Sequence, residues 1–175
     1  MNKIFISAND FQKDCFQLAQ NIYKSNFNPD VVIGIWRGGS LPAIIIHEYL
    51  VYQGREVLSN VITTKSYTGI GEQSEKVEID ISEKVLNNLK EATNILLVDD
   101  VVDSGKTIES IFQCLEKKGV RGNIQVASVY YKPMISSITP DYYIHKTNQW
   151  IVFPHELEGL TQKETILKGI KLLKN

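Results

Sequence analysis

Cysteine is scarce in this sequence: Cys15 and Cys114 are the only two among 175 residues. Both fall on apolar helical faces, which fits buried reduced thiols and gives no support to a disulfide framework. Charge of one sign is missing too. The 19 Lys and Arg against 20 Asp and Glu leave a formal net charge of −1, which argues against bulk electrostatic binding of nucleic acid. No apolar run is long enough to span a membrane. The run after Met1-Asn2-Lys3 is too short for a secretory leader. The expectation is a cytoplasmic protein with neither a membrane nor a nucleic acid as partner. Repeats, low-complexity tracts and linkers are also absent. The hydrophobic and charged fractions, 43% and 22%, are those of an ordinary globular protein, and the length suits one domain with a sizeable core.

The most informative stretch runs from Asn94 to Thr107. Ile95-Leu96-Leu97-Val98 reads as a buried strand. Asp99, Asp100 and Asp103 follow in what reads as an acidic turn, then the small residues Ser104 and Gly105. Ile108, Ile111, Phe112 and Leu115 recur at helical spacing, and Gly119 is placed to end that helix. The first amides of a helix lack internal partners and its dipole favours an anion there. Ser104, Gly105, Lys106 and Thr107 would therefore offer N–H groups and a hydroxyl to a phosphate, with Gly105 letting the backbone turn. Gly105-Lys106-Thr107 is like the tail of a nucleoside-triphosphate loop. That loop needs glycine where this chain has Asp100, and carboxylates would repel the phosphates it wraps. A phosphate at the loop and two acids at the strand end suit a sugar phosphate instead. The acids would accept from sugar hydroxyls, and a divalent metal could share them.

The flanking chain alternates strand and helix. An amphipathic helix is expected over Asn9–Ser25, with Phe11, Cys15, Leu18 and Ile22 on one face. Val31–Ile35 reads as a strand buried on both sides, ending at Trp36-Arg37-Gly38-Gly39. A helix is expected from Pro42 to about Tyr52. The two glycines leave backbone bare and an arginine can hold phosphate oxygens, although an isolated turn of this kind is commonly just a turn. Glu56–Thr64 reads as a strand, Lys65–Glu75 as a polar loop, Val77–Ile81 as the returning strand and Ser82–Lys90 as a short helix. Strands are expected at Ile124–Tyr131, ending beside Lys132, and at Asp141–Ile144. Phe153 reads as part of a flap closing the core. Trp150 has a flat face suited to stacking a base. Thr161 to Glu164 reads as a capping box opening a last helix, with Ile166, Ile170 and Leu173 on its apolar face.

The run Leu96-Leu97-Val98-Asp99-Asp100-Val101-Val102-Asp103-Ser104-Gly105-Lys106-Thr107 resembles, without a break, the signature of the type I phosphoribosyltransferases. The likeness extends along nearly the whole chain and is strongest toward the xanthine-guanine and hypoxanthine members. It implies an α/β fold: a mainly parallel twisted sheet flanked by helices, with a small C-terminal hood. On that reading residues 1–175 are a single domain, with a core to about 145, a hood over about 146–160 and a helix over about 161–174. Trp36, Arg37, Gly38 and Gly39 would form the pyrophosphate loop, with a cis peptide at Trp36–Arg37. Asp99 and Asp100 would hold the ribose and magnesium, with Glu156 where a further acid is expected at the metal. Asp103 to Thr107 would hold the 5′-phosphate. Ser66-Tyr67 would open a flexible lid. Lys132, Trp150 and Ile151 would bind a purine, and Asp103 would take its N7 proton. His155 stands where the family usually has a second Trp.

The resemblance implies transfer of the phosphoribosyl group from phosphoribosyl pyrophosphate to a 6-oxopurine. Nucleoside monophosphate and pyrophosphate would be the products, magnesium the cofactor, and a homo-dimer or homo-tetramer the assembly. Asp103 carries the preference for a 6-oxo base, since orotate and adenine members usually have Thr or Ala there. The alternatives are a transferase for another base and a regulator that senses phosphoribosyl pyrophosphate. Such regulators typically carry an added DNA-binding domain or a basic face.

Overall fold

The computed structural model describes residues 3–68, 75–157 and 159–169. The chain divides into two compact units, one of Asp14–Asn148 and one of Met1–Lys13 with Gln149–Asn175.

The larger unit is built on a six-stranded sheet. Its strands are β2 (Val31–Trp36), β3 (Leu58–Thr68), β4 (Glu75–Asp80), β5 (Asn94–Val102), β6 (Asn123–Tyr131) and β7 (Tyr142–Lys146), in the order β4-β3-β2-β5-β6-β7. Every pairing is parallel except β3 with β4. Between the strands run α2 (Ser40–Tyr52), α3 (Glu83–Glu91) and α4 (Lys106–Lys117). The mainly parallel α/β sheet flanked by helices is thus the architecture found.

The sequence explains the layering. β2 and β5 are continuous apolar runs because both of their faces are covered. Val31, Ile33, Ile35, Ile95 and Leu97 join Val85 and Leu89 of α3 and Ile108, Ile111 and Leu115 of α4 in one core. The alternate residues Val32, Leu96 and Val98 are equally buried and point to the opposite face. Gly34 lies on that face too, where a Cβ would stand 3.0 Å from Cβ of Ala43, so α2 packs closely on β2 there.

Two expected boundaries move. Asp99 and Asp100 do not form a turn; β5 continues through both to Val102, because its ladder with β6 extends to Val102↔Tyr131. Lys65 to Thr68 are not loop either. They extend β3 against β4, with Thr63↔Asp80 and Thr68↔Glu75 as the ends of the antiparallel ladder. Residues 69–74 lie outside the described residues.

The smaller unit pairs β1 (Lys3–Phe5) in parallel with β8 (Trp150–Val152), neither of which the sequence pattern revealed. α1 (Ala8–Lys24) starts in this unit and ends in the larger one. α5 (Gln162–Leu167) carries the capping box: Thr161 Oγ1 accepts from Glu164 N–H and Glu164 accepts from Thr161 N–H. The Glu164 carboxylate also meets Lys3 Nζ at 2.7 Å. α5 is shorter than expected. It stops at Leu167 and is followed by Gly169 at φ 71°. Its buried residue is Thr165, with Ile166 exposed; Ile170 and Leu173 lie outside the described residues.

Candidate active site

Three strand ends meet at the middle of the sheet. From β2 the chain winds outward to β3, and from β5 it winds the other way to β6 and β7. β2 and β5 therefore flank the point where strand order reverses. Open α/β sheets offer a ligand crevice beyond the carboxyl ends of the strands at such a point. Arg37-Gly38-Gly39 follows β2, Asp99 to Thr107 closes β5 and leads into α4, and Lys132 follows β6.

The glycines of the β2 loop are needed for room. Gly39, at φ −68°, has an ordinary helical backbone. A Cβ on it, however, would strike the Val98 carbonyl oxygen and stand 2.9 Å from Cα of Asp99. On Gly38 it would stand 2.5 Å from Oδ1 of Asp100. The space their missing side chains leave is taken by the end of β5. The buried Asp100 carboxylate lies against Gly38. The Trp36–Arg37 peptide is cis, as the resemblance implied. Gly39 caps α2 without any side-chain hydrogen bond.

The β5 loop differs. Gly105 is at φ 85°, a left-handed conformation that L side chains rarely adopt, and it caps α4 without a side-chain hydrogen bond. Ser104 Oγ accepts from Lys106 N–H at 3.4 Å, leaving the next amides of the first turn without a side-chain acceptor. The start of α4 thus presents backbone donors and the positive end of its dipole, as an anion site requires.

Asp103 and Lys132, far apart in the sequence, form an ion pair of 2.7 Å. Lys132 is buried and Asp103 about half exposed, so the pair opens to solvent through its acid. Backbone geometry fixes the lysine, whose N–H donates to the Val102 carbonyl at 3.0 Å. Asp99 and Asp100 stand side by side, with Asp99 Oδ1 accepting from Asp100 N–H at 3.0 Å. Burial, then the adjacent Asp100 charge, holds Asp99 well above the usual carboxylate range. Nearby, burial followed by the charges of Asp14 and Asp100 pushes the Cys15 thiol up to about 12, so this cysteine is inert, as its apolar setting predicted.

A divalent cation fits this donor set. Two adjacent hard oxygen acids suit a divalent metal, whose charge would relieve their repulsion and which takes its remaining ligands from water and phosphate. Among the described residues no group of three or more His, Cys, Asp and Glu could hold an ion unaided.

The smaller unit carries the candidates of the C-terminal segment. Trp150 is half exposed at the start of β8, while Ile151 and Phe153 are buried. His155 stacks on Phe153 with ring centroids 5.5 Å apart, and Phe11 meets Phe153 edge-on at 5.4 Å. His155 is thus part of an aromatic cluster. Glu156 Oε2 accepts from Phe153 N–H at 3.3 Å, closing a turn. Ser66 and Tyr67 belong to β3, but their side chains lie outside the described residues.

Sequence reasoning missed three polar residues around the β5 loop. Buried Ser128 accepts from Val102 N–H at 3.1 Å and steadies the end of β5. Ser137 holds the Ser104 carbonyl through its N–H at 3.0 Å, and its hydroxyl donates to Glu109 Oε1 at 2.7 Å. Ser128 sits within an apolar run at a position that must face the core, a readable signal; Ser137 and Glu109 carry none.

The family model described as the phosphoribosyl transferase domain matches residues 6–159. The xanthine-guanine phosphoribosyltransferase of Cereibacter sphaeroides is 33% identical over 128 residues, spanning 72% of this chain and 68% of that one. The enzyme of the same name from a Ruegeria species is 30% identical over 161 residues, 87% of this chain and 84% of that one. The crystal structure of a purine phosphoribosyltransferase from Pyrococcus horikoshii superposes with a TM-score of 0.75 at 35% identity, over 93% of this chain and 99% of the other.

Proposed function

This chain belongs to the phosphoribosyltransferase family, and from that premise we propose that it transfers the phosphoribosyl group of phosphoribosyl pyrophosphate to N9 of a 6-oxopurine: hypoxanthine, guanine or xanthine. The products are the nucleoside monophosphate and pyrophosphate, and the setting is cytoplasmic purine salvage.

The observation that carries this reading is the Lys132–Asp103 pair at the loop before α4. A 6-oxopurine offers an acceptor, O6, beside the donor N7–H. A lysine ammonium next to a carboxylate is the complement of that edge. An adenine would turn an amino group toward the ammonium and lose the match. Asp103 receives the N7 proton while N9 attacks C1 of the ribose. The Ser104–Thr107 amides and hydroxyls hold the 5′-phosphate at the start of α4, and Arg37 with the start of α2 holds the pyrophosphate. The donor is thereby fixed at both ends as its C1–O bond loosens. Asp99 and Asp100 hold the ribose hydroxyls and are the ligands assigned to magnesium. When bound, magnesium supplies charge that stabilises the departing pyrophosphate. Trp150 is assigned to stacking the base, Ile151 to its 2-substituent through the backbone, Glu156 to the metal and Ser66-Tyr67 to the lid, all on the motif. Exposed Ile44, Val51 and Tyr52 of α2 and Val61 of β3 offer an apolar surface for a second copy of the chain in a dimer or tetramer.

The test is a parallel assay with phosphoribosyl pyrophosphate, magnesium and each of hypoxanthine, guanine, xanthine, adenine and orotate. Turnover of at least one 6-oxopurine, with little for adenine and orotate, is expected. Preferred turnover of adenine or orotate would overturn the base assignment. Tight donor binding without turnover of any base would point to a sensor of the donor.

A further inference from the structure

The connection after β6 grips the β5 loop at two consecutive residues. At one end Lys132 Nζ donates to Asp103. Five residues on, Ser137 N–H donates to the Ser104 carbonyl at 3.0 Å. Between them the chain folds back on itself, with Ser136 N–H donating to the Lys132 carbonyl at 3.1 Å. A Cβ at Gly105 would come within 2.7 Å of Ser137 Oγ and 3.1 Å of Ile138 N, so this connection lies directly behind the loop.

The hydrogen count at Ser137 shows how the grip is shared. Its hydroxyl has one proton and two acceptors in reach, Glu109 Oε1 at 2.7 Å and the Ser104 carbonyl at 3.1 Å. The shorter bond to the carboxylate takes the proton, since charge-assisted bonds are the stronger ones. That leaves Ser104 held by the Ser137 N–H, while Glu109, in the first turn of α4, fixes Ser137 itself. Loop, helix and connection are tied at one point. Across a planar peptide the C=O and N–H point in opposite directions. Turning the Ser104 carbonyl toward Ser137 therefore aims the Gly105 N–H away from Ser137 and the connection behind the loop.

We infer that Ser137, held by Glu109, is a positioning residue that presets the phosphate loop with the Gly105 N–H aimed at the 5′-phosphate. This rests on the reading that the loop holds that phosphate. Because the same connection begins at Lys132, recognition of the base and of the phosphate share one brace.

The test measures two ligands separately on the unmodified enzyme and on Ser137→Ala, Glu109→Ala and Ser137→Thr, by titration calorimetry with magnesium present. For Ser137→Ala and Glu109→Ala, affinity for guanosine 5′-monophosphate is expected to fall about fivefold, the scale of one hydrogen bond. KM for phosphoribosyl pyrophosphate should rise in parallel, with kcat within about twofold. Affinity for inorganic pyrophosphate, which engages the β2 loop, is expected to stay the same. Ser137→Thr, which keeps the hydroxyl, should recover most of the nucleotide affinity. Equal loss of both ligands, or a drop in thermal stability with both affinities unchanged, would overturn the inference and leave Ser137 a packing residue. Unmodified protein that binds neither nucleotide nor donor would instead sink the functional reading on which it rests.

Discussion

The helices of this protein begin in two ways. α1, α3 and α5 are closed by their own side chains: Ser7 Oγ accepts from Asp10 N–H, Ser82 Oγ from Val85 N–H and Thr161 Oγ1 from Glu164 N–H. α2 and α4 begin at Gly39 and Gly105 with no side-chain cap. A missing cap typically costs about 1 kcal/mol. Both uncapped starts stand where strand order reverses, and both carry sequence that resembles phosphate-binding loops. At α2 the Gly39 and Ser40 N–H groups already bond the Ile35 and Arg37 carbonyls, so on the proposed reading it is chiefly the start of α4 that keeps donors for a ligand. The two open starts also differ from each other. Gly105 is required by its positive φ, whereas Gly38 and Gly39 are required by the approach of Val98, Asp99 and Asp100.

The comparison predicts that changes at open starts alter ligand handling and changes at closed starts alter stability. The largest effect is expected at Asp103, beside the open start of α4. Asp103→Asn keeps an acceptor for Lys132, so the buried ammonium is not stranded, and removes only the carboxylate. Turnover of the preferred base should fall about 10²–10⁴-fold with the melting temperature nearly unchanged. Steady-state kinetics beside a thermal melt checks this. Near-full turnover would remove Asp103 as the proton acceptor.

Next in size are paired changes that separate the two open starts. Gly105→Ala forces a side chain into left-handed backbone, a strain of roughly 1–2 kcal/mol. It should weaken nucleoside monophosphate about tenfold and leave pyrophosphate affinity alone. Arg37→Ala should weaken pyrophosphate by a similar factor and spare the monophosphate. Calorimetry with both ligands on both variants reads the pattern. If either variant weakens both ligands equally, the two loops are one site and the comparison fails.

How much of this was legible beforehand depended on sequence distance. The run from Asn94 to Thr107 carries its strand, loop and helix start in neighbouring residues, so both fold and candidate phosphate site could be read there. The same holds for Thr161, whose capping partner Glu164 lies three residues on. What was hidden is held by distant partners. β1 and β8 are three residues each and pair across nearly the whole chain, Lys3 with Trp150, which no local pattern announces. Asp99 and Asp100 looked like a turn because carboxylates are rare inside strands. Pairing with β6 outweighs that preference, and burial then raises Asp99. The contact of Ser137 with Glu109 crosses 28 residues between two unremarkable side chains.

A closed start should behave in the opposite way. Ser82→Ala removes the cap of α3 and is expected to cost about 1 kcal/mol, a fall of roughly 2–4 °C in melting temperature for a chain of this size. Affinities for monophosphate and pyrophosphate should stay where they were. A change in either affinity without a fall in melting temperature would show that closed starts also tune the site.

The smallest effect is expected at the capping box of α5, and it depends on pH. Lys3, then the Thr161 backbone and hydroxyl, lower the Glu164 carboxyl from an ordinary value near 4.5 to about 2. A carboxyl lowered on folding stabilises the folded chain above its unfolded pKa, and that contribution disappears as pH falls through the folded value. Glu164→Gln keeps an acceptor for the Thr161 N–H and removes the charge facing Lys3. The variant should therefore melt slightly below the unmodified protein at pH 7, and the difference should shrink as pH falls from about 4.5 toward 2. Because the Lys3–Glu164 pair is partly exposed, the gap should also narrow in high salt. Melting curves across that range decide the point: a gap that stays constant with pH would mean the loss comes from packing, and the capping box would owe nothing to the charge of Glu164.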